Sequence, residues 1–200
     1  MTTFLRHRLW PAIALLLTLT IVTGFLYPLA VTAVAQVAFP SQASGSFVET
    51  ADGRTIGSSL IGQAFSQPKY FWSRPSAAGV TDTNPAGYDG NASAGSNLGP
   101  TNQKLIERIT AAVDTLKAAN DDKPIPVDLV TTSASGLDPD ISPAAAEYQV
   151  ARIAKERGMT EENLRAVVTR HTEQPFLGFL GQPRVNVLLL NLDLDGLLVR

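Results

Sequence analysis

His171 stands two positions before Glu173 and is the one histidine outside the first ten residues. An imidazole is the side chain best suited to moving a proton near neutral pH. Combined with Ser133 or Ser135 and with Asp138, the His171 and Glu173 pair could form a Ser-His-acid hydrolase. No Gly-x-Ser-x-Gly elbow accompanies either serine. The plainer reading places His171 near the C-terminal end of a helix, where a partial positive charge is favoured.

Other chemistries are narrowed by composition. There is no Cys, and His7 and His171 are the two histidines, so disulfides, zinc-thiolate sites and multi-histidine metal sites in one domain are excluded. Gly136-Leu137-Asp138-Pro139-Asp140 lacks the alternating ligands and the twelfth-position Glu of an EF-hand, and reads as a turn. Neither a Gly-x-x-x-x-Gly-Lys-Ser/Thr loop nor a Gly-x-Gly-x-x-Gly turn is present, so direct nucleotide contact would have to be unconventional. Tyr70-Phe71-Trp72 followed by Arg74 is the densest aromatic run, and such residues are enriched at binding hot spots. These four form a candidate partner interface, with a core role open for one or two of the rings.

The elements that must position these groups are readable in part. One helix starts at Thr101 or Asn102 and carries Leu105, Ile109, Ala112 and Leu116 at helical spacing up to Asn120. A second begins with Ser142 as N-cap and Pro143 at the first helical position, and stops at Gly158. Thr160 caps a third, with Glu161 and Glu162 in its first turn. Thr55 to Ile61, Val127 to Thr131 and Val185 to Leu192 read as strands. Residues 74–102 show no apolar periodicity, yet their low charge and embedded Tyr88 predict order. The fold class is α+β, a small mixed domain preceded by one transmembrane helix.

That helix follows from the longest uncharged stretch. No charged residue lies between Arg8 and Glu49, and a bilayer core of about 30 Å needs roughly 20 apolar residues. Arg6 and Arg8 precede the run, while no Lys or Arg follows it before Arg54, so the N-terminus is expected in the cytoplasm. Trp10 and Tyr27 are about 26 Å apart along a helix and suit the two interfaces. The expected organisation is a cytoplasmic tail at 1–9, a membrane helix with its juxtamembrane extension at 10–39, and an extracytoplasmic domain at 40–200. Ala33-Val34-Ala35 offers a signal-peptidase pattern, but secretory apolar cores run about 7–15 residues and this one is longer. A net charge of −2 offers nothing to nucleic acid.

Several strings then carry a resemblance: Tyr70-Phe71-Trp72-Ser73-Arg74-Pro75-Ser76, Gly95-Ser96-Asn97-Leu98-Gly99-Pro100-Thr101-Asn102, Asp128-Leu129-Val130-Thr131, Ser142-Pro143-Ala144-Ala145-Ala146 and Pro183-Arg184-Val185-Asn186-Val187-Leu188. In this order they resemble the KdpC family of bacterial potassium-transporting P-type ATPases, from the membrane helix to the C-terminus. The resemblance implies an accessory subunit in an inner-membrane pump. Its partners would be a channel-like potassium-binding subunit, a P-type ATP-hydrolysing subunit and a small membrane peptide. ATP and K+ would be handled through the complex; the Asp-Lys-Thr-Gly phosphorylation motif is absent from this chain. The resemblance further implies a catalytic-chaperone role, with Gln149 at the position of a proposed nucleotide contact. The flanking charges place Gln149 across the membrane from cytoplasmic ATP.

Overall fold

The computed structural model describes residues 2–50, 52–120 and 123–198. The chain divides into two compact units between Phe47 and Val48. In the first, α1 (Thr2–Ile21) runs through one π-helical turn (Val22–Leu26) into α2 (Tyr27–Ala38). Pro28 explains the wide turn. It has no N–H to donate, and its ring would strike the carbonyl four residues earlier, so the helix expands just before it and Tyr27 N–H bonds the Val22 carbonyl. The Thr23 hydroxyl bonds the Leu19 carbonyl at 2.7 Å. The rod ends at Phe39, because a residue before proline is pushed out of the helical region, and α3 (Pro40–Ala43) is a single turn. Arg6–Ala38 is long and apolar enough to cross a membrane, and none of that span is buried within the protein.

A hairpin of β1 (Phe47–Glu49) and β2 (Thr55–Ser58) begins at the boundary and leads into the second unit. After a long irregular stretch comes α4 (Gln103–Ala119), whose N-cap Asn102 accepts from Lys104 N–H at 2.9 Å. The rest comprises β3 (Asp140–Ile141), α5 (Pro143–Arg157), α6 (Glu161–Arg170), β4 (Thr172–Glu173), β5 (Arg184–Asn186) and α7 (Val187–Leu194). β5 is central in an antiparallel sheet of order β3-β5-β4, pairing Ile141 with Val185 and Thr172 with Val185. The Ser142 hydroxyl accepts from Ala145 N–H at 3.0 Å to start α5, and Gly158, in the left-handed conformation, ends it. Thr160 caps α6 in the same way. The core gathers Phe71, Leu116, Leu129, Ile141, Ile153, Leu164, Val185 and Leu190 around α5. The architecture is α+β, with a long apolar N-terminal helix.

Two strand expectations are corrected. Residues Val127–Leu129 form a 3-10 turn rather than a strand, because Pro126 and the carboxylate of Asp128, which accepts from Ser142 N–H at 2.7 Å, tie the segment to the start of α5. The apolar run after Arg184 is a strand only as far as Asn186. There the Asn186 side chain accepts from Leu189 N–H at 3.1 Å and starts α7. Val187, Leu188, Leu190 and Leu192 are all buried, and a helix apolar on every side shows no periodicity that separates it from a buried strand.

Candidate functional site

Residues 71–77 adopt neither helix nor strand, yet Phe71 has no exposed surface. Buried backbone groups need partners. Here side chains supply them. Asn191 Oδ1 accepts from Phe71 N–H at 2.9 Å while its Nδ2 donates to the Phe71 carbonyl at 3.0 Å. One residue on, Gln149 Oε1 accepts from Trp72 N–H at 2.8 Å and its Nε2 donates to the Trp72 carbonyl at 3.2 Å. Each primary amide thus takes the place of a neighbouring strand's backbone. α7 presents one and α5 the other, and both side chains are fully buried.

Gln149 has no spare capacity. Its Oε1 also accepts from Arg152 Nη2 at 2.8 Å, and its Nε2 donates to the Ala145 carbonyl at 3.2 Å, which uses both donors and both lone-pair directions. Residues 145, 149 and 152 share a face of α5 by their spacing. Arg152 donates from Nε to Asn120 Oδ1 at 2.9 Å and from Nη1 to the carbonyls of Pro68 and Tyr70. Its guanidinium carbon lies 4.1 Å from the Trp72 ring centroid. Burial lowers its pKa to about 10, with Glu156 opposing the shift, so it stays charged at neutral pH.

The aromatic run therefore alternates as an extended chain does. Phe71, grouped with the candidate interface by sequence, points into the core, while Tyr70, Trp72 and Arg74 are half-buried. Tyr70 hydroxyl donates to Asp195 Oδ2 at 2.7 Å, and Arg157 pairs with the same carboxylate at 2.8 Å. Arg74 pairs with Asp138 at 2.8 Å. On the apolar rod, Arg6, Arg8, Trp10 and Tyr27 are all exposed.

The residues that could compose a hydrolase go to separate partners. His171 Nε2 lies 2.9 Å from Asp193 Oδ2, Ser133 Oγ accepts from Gly136 N–H at 2.9 Å, and Ser135 Oγ accepts from Leu137 N–H at 3.1 Å. Asp138 is held by Arg74, and Glu173 bonds Arg184 at 2.7 Å. The serines stabilise a turn, and His171 is the C-cap residue of α6. Among the described residues no group of three or more His, Asp or Glu could hold a metal.

The bond from His171, followed by Arg170, holds the Asp193 carboxyl below its ordinary value of 3.8. A depressed carboxylate stabilises the fold above its unfolded pKa and loses that contribution as pH falls through the lower folded value. Thermal unfolding followed across the acid range should therefore fall off less steeply for Asp193→Asn than for the native chain. The difference should be about 1 kcal/mol or less for a partly solvated pair. Identical acid profiles would remove Asp193 from the account.

A depression of about 550 Å³ lies beside Arg74, Asp138, Asp140 and Arg184. Four of its charges pair with one another: Arg74 with Asp138, and Arg184 with Asp140 at 3.3 Å. Burial raises the Asp140 carboxyl, with Arg184 opposing. At the start of α5, Ser142 N–H already donates to Asp128.

Sequence reasoning singled out Gln149 and the aromatic run but not Asn191 or Arg152. The available signal was an Asn inside an otherwise apolar run, since a buried amide must find partners.

Residues 9–196 match the family described as KdpC: K+-transporting ATPase, c chain. A protein of Sorangium cellulosum named potassium-transporting ATPase KdpC subunit is 60% identical over 191 residues, covering 94% of this chain and 97% of its own length. Proteins of the same name from Rhodopseudomonas palustris and Koribacter versatilis are 59% and 53% identical, each covering 96% of its own length and, respectively, 93% and 96% of this chain.

Proposed function

The chain belongs to the KdpC family of K+-transporting ATPases, and from that premise we propose that it is a non-hydrolysing accessory subunit anchored by its apolar helix. In this reading the N-terminus is cytoplasmic and the folded domain extracytoplasmic, in the inner membrane. The helix packs beside the channel-like potassium subunit, the domain covers that subunit's entry side, and the P-type subunit and small peptide complete the assembly. ATP and K+ are handled by those partners.

The observation that carries the reading is the saturated amide of Gln149. A side chain whose four hydrogen-bonding positions are all occupied inside the core has none left for a nucleotide. Any influence on ATP use then passes through the partner's conformational equilibrium as a coupling free energy, typically about 1–3 kcal/mol.

Topology tests the arrangement directly, because the sequence has no cysteine to confuse labelling. In intact spheroplasts an impermeant maleimide should label Asp114→Cys and leave Thr3→Cys unlabelled until the membrane is opened. The reverse pattern would overturn the orientation. Copurification of the chain with an ATP-hydrolysing subunit and a potassium-conducting subunit should accompany it, and purification as a lone chain from gently solubilised membranes would sink the accessory reading.

A further inference from the structure

The loop between β4 and β5 carries an apolar tip unlike the rest of the folded domain. Phe176, Leu177, Phe179 and Leu180 are 71%, 70%, 73% and 51% exposed. From Gln174 to Pro183 there is no ionisable side chain. A cluster of this kind on a water-facing surface marks a membrane or protein contact.

The geometry points to insertion of this tip into the headgroup and upper acyl region of the bilayer, as a second membrane contact of the folded domain. The inference rests on the membrane-anchored reading above. Three observations support contact with lipid.

The first is the backbone. Phe176 N–H bonds the Leu180 carbonyl at 3.0 Å, Leu180 N–H bonds the Phe176 carbonyl at 2.9 Å, and Gly178 N–H bonds the Pro175 carbonyl at 2.9 Å. Leu177 and Gly178 take positive φ values of 53° and 80° to close the turn. Backbone groups satisfied within the turn lower the cost of leaving water; these bonds close the base of the tip, and the carbonyls of residues 177–179 at its apex are met by the water and headgroups of the interfacial region rather than by the acyl core.

The second is residue type. Protein hot spots favour Trp, Tyr and Arg and are poor in Leu, whereas Phe and Leu without charge are the residues that sink into an acyl boundary.

The third is the tether. The residues joining Ala38 to Phe47 span no more than about 30 Å when fully extended. A tether this short keeps the folded domain at high effective concentration near the bilayer, so even a weak insertion is populated.

A spin label distinguishes the alternatives in the assembled pump reconstituted in phosphatidylcholine vesicles. The label is attached at Leu177→Cys, with Asp114→Cys, exposed on α4, as the aqueous reference. Collision rates with oxygen, which concentrates in lipid, and with a water-soluble nickel chelate are compared. The expected result is an oxygen-to-chelate ratio severalfold higher at 177 than at 114, falling to the aqueous value when Phe176→Ser and Phe179→Ser are added. An aqueous ratio at 177 overturns the proposal. So does low collision with both reagents, which would mean burial against a protein subunit. Assembly is scored on the same preparation by copurification, so failure of the accessory reading is seen separately from failure of the insertion.

Discussion

Replacing Gln149 by Ala should lower the stability of the folded domain by about 3–5 kcal/mol and leave the pump's KM for ATP unchanged wherever the domain remains folded. The substitution strands Trp72 N–H, the Trp72 carbonyl and one Arg152 nitrogen, all of which now bond the Gln149 amide. Each buried group without a partner costs about 1–3 kcal/mol, more for a charged one, and the vacated volume adds to the loss. Against a total stability of about 5–15 kcal/mol this is a large share. For a domain of this size the melting temperature should drop by roughly 10–15 °C. Asn191→Ala should act in the same direction through Phe71, which makes it the natural companion. Low steady-state amounts of assembled pump with unaltered KM would fit the buried-amide account. An unchanged melting temperature with a raised KM would overturn the buried-amide account and reopen direct contact between Gln149 and nucleotide.

The other large effect is expected at Gly136. Its φ is 68°, and a Cβ built there would lie 2.5 Å from the Ala94 carbonyl oxygen and 2.7 Å from the Ala78 nitrogen. Both obstacles are backbone, so no side chain can turn aside. Gly136→Ala should cost about 3–5 kcal/mol, combining a left-handed non-glycine with forced displacement of packed chain. Gly158 supplies the control: its φ is 63° but nothing lies within 4 Å of its added Cβ. Gly158→Ala should cost only about 1–2 kcal/mol, the conformational part alone. Ser76 hydroxyl also bonds the Gly136 carbonyl at 2.6 Å, so the first variant should open residues 74–102 to protease at temperatures where the second remains resistant. Equal losses in the two variants would show that close approach at Gly136 has no energetic consequence.

The ordered stretch around Gly136 shows how far sequence reasoning reaches. Residues 74–102 read as an ordered loop because they are neither charged enough for disorder nor periodic enough for an element. The bonds that order them are long-range in sequence: Arg74 with Asp138, Ser76 hydroxyl with the Gly136 carbonyl, and Ser93 hydroxyl with the Ser135 carbonyl. The strand expected at Val127 to Thr131 failed for a related reason. Its β-branched residues favour a strand locally, but the hydrogen bonds from Ser142 to Asp128 hold it as a turn.

What the sequence determined by itself was set by forces acting over a few residues. The helix starts at Asn102, Ser142 and Thr160 depend on a side chain bonding an N–H two or three positions later. The stop at Gly158 depends on one residue's access to the left-handed region. The apolar rod depends on the length of an uncharged run, and Pro28 shapes it through its missing N–H. The tertiary structure decided the rest. Gln149 and Trp72 are 77 positions apart, and Asn191 and Phe71 are 120 apart. An amide on a helix carries the same local preferences whether it faces water, a nucleotide or the backbone of a distant segment. Its role is fixed only when folding removes water from it, because a desolvated amide must bond whatever polar groups are buried beside it. Burial likewise hid the helix that Asn186 starts, since a segment with most of its residues in the core has no polar face to reveal its period.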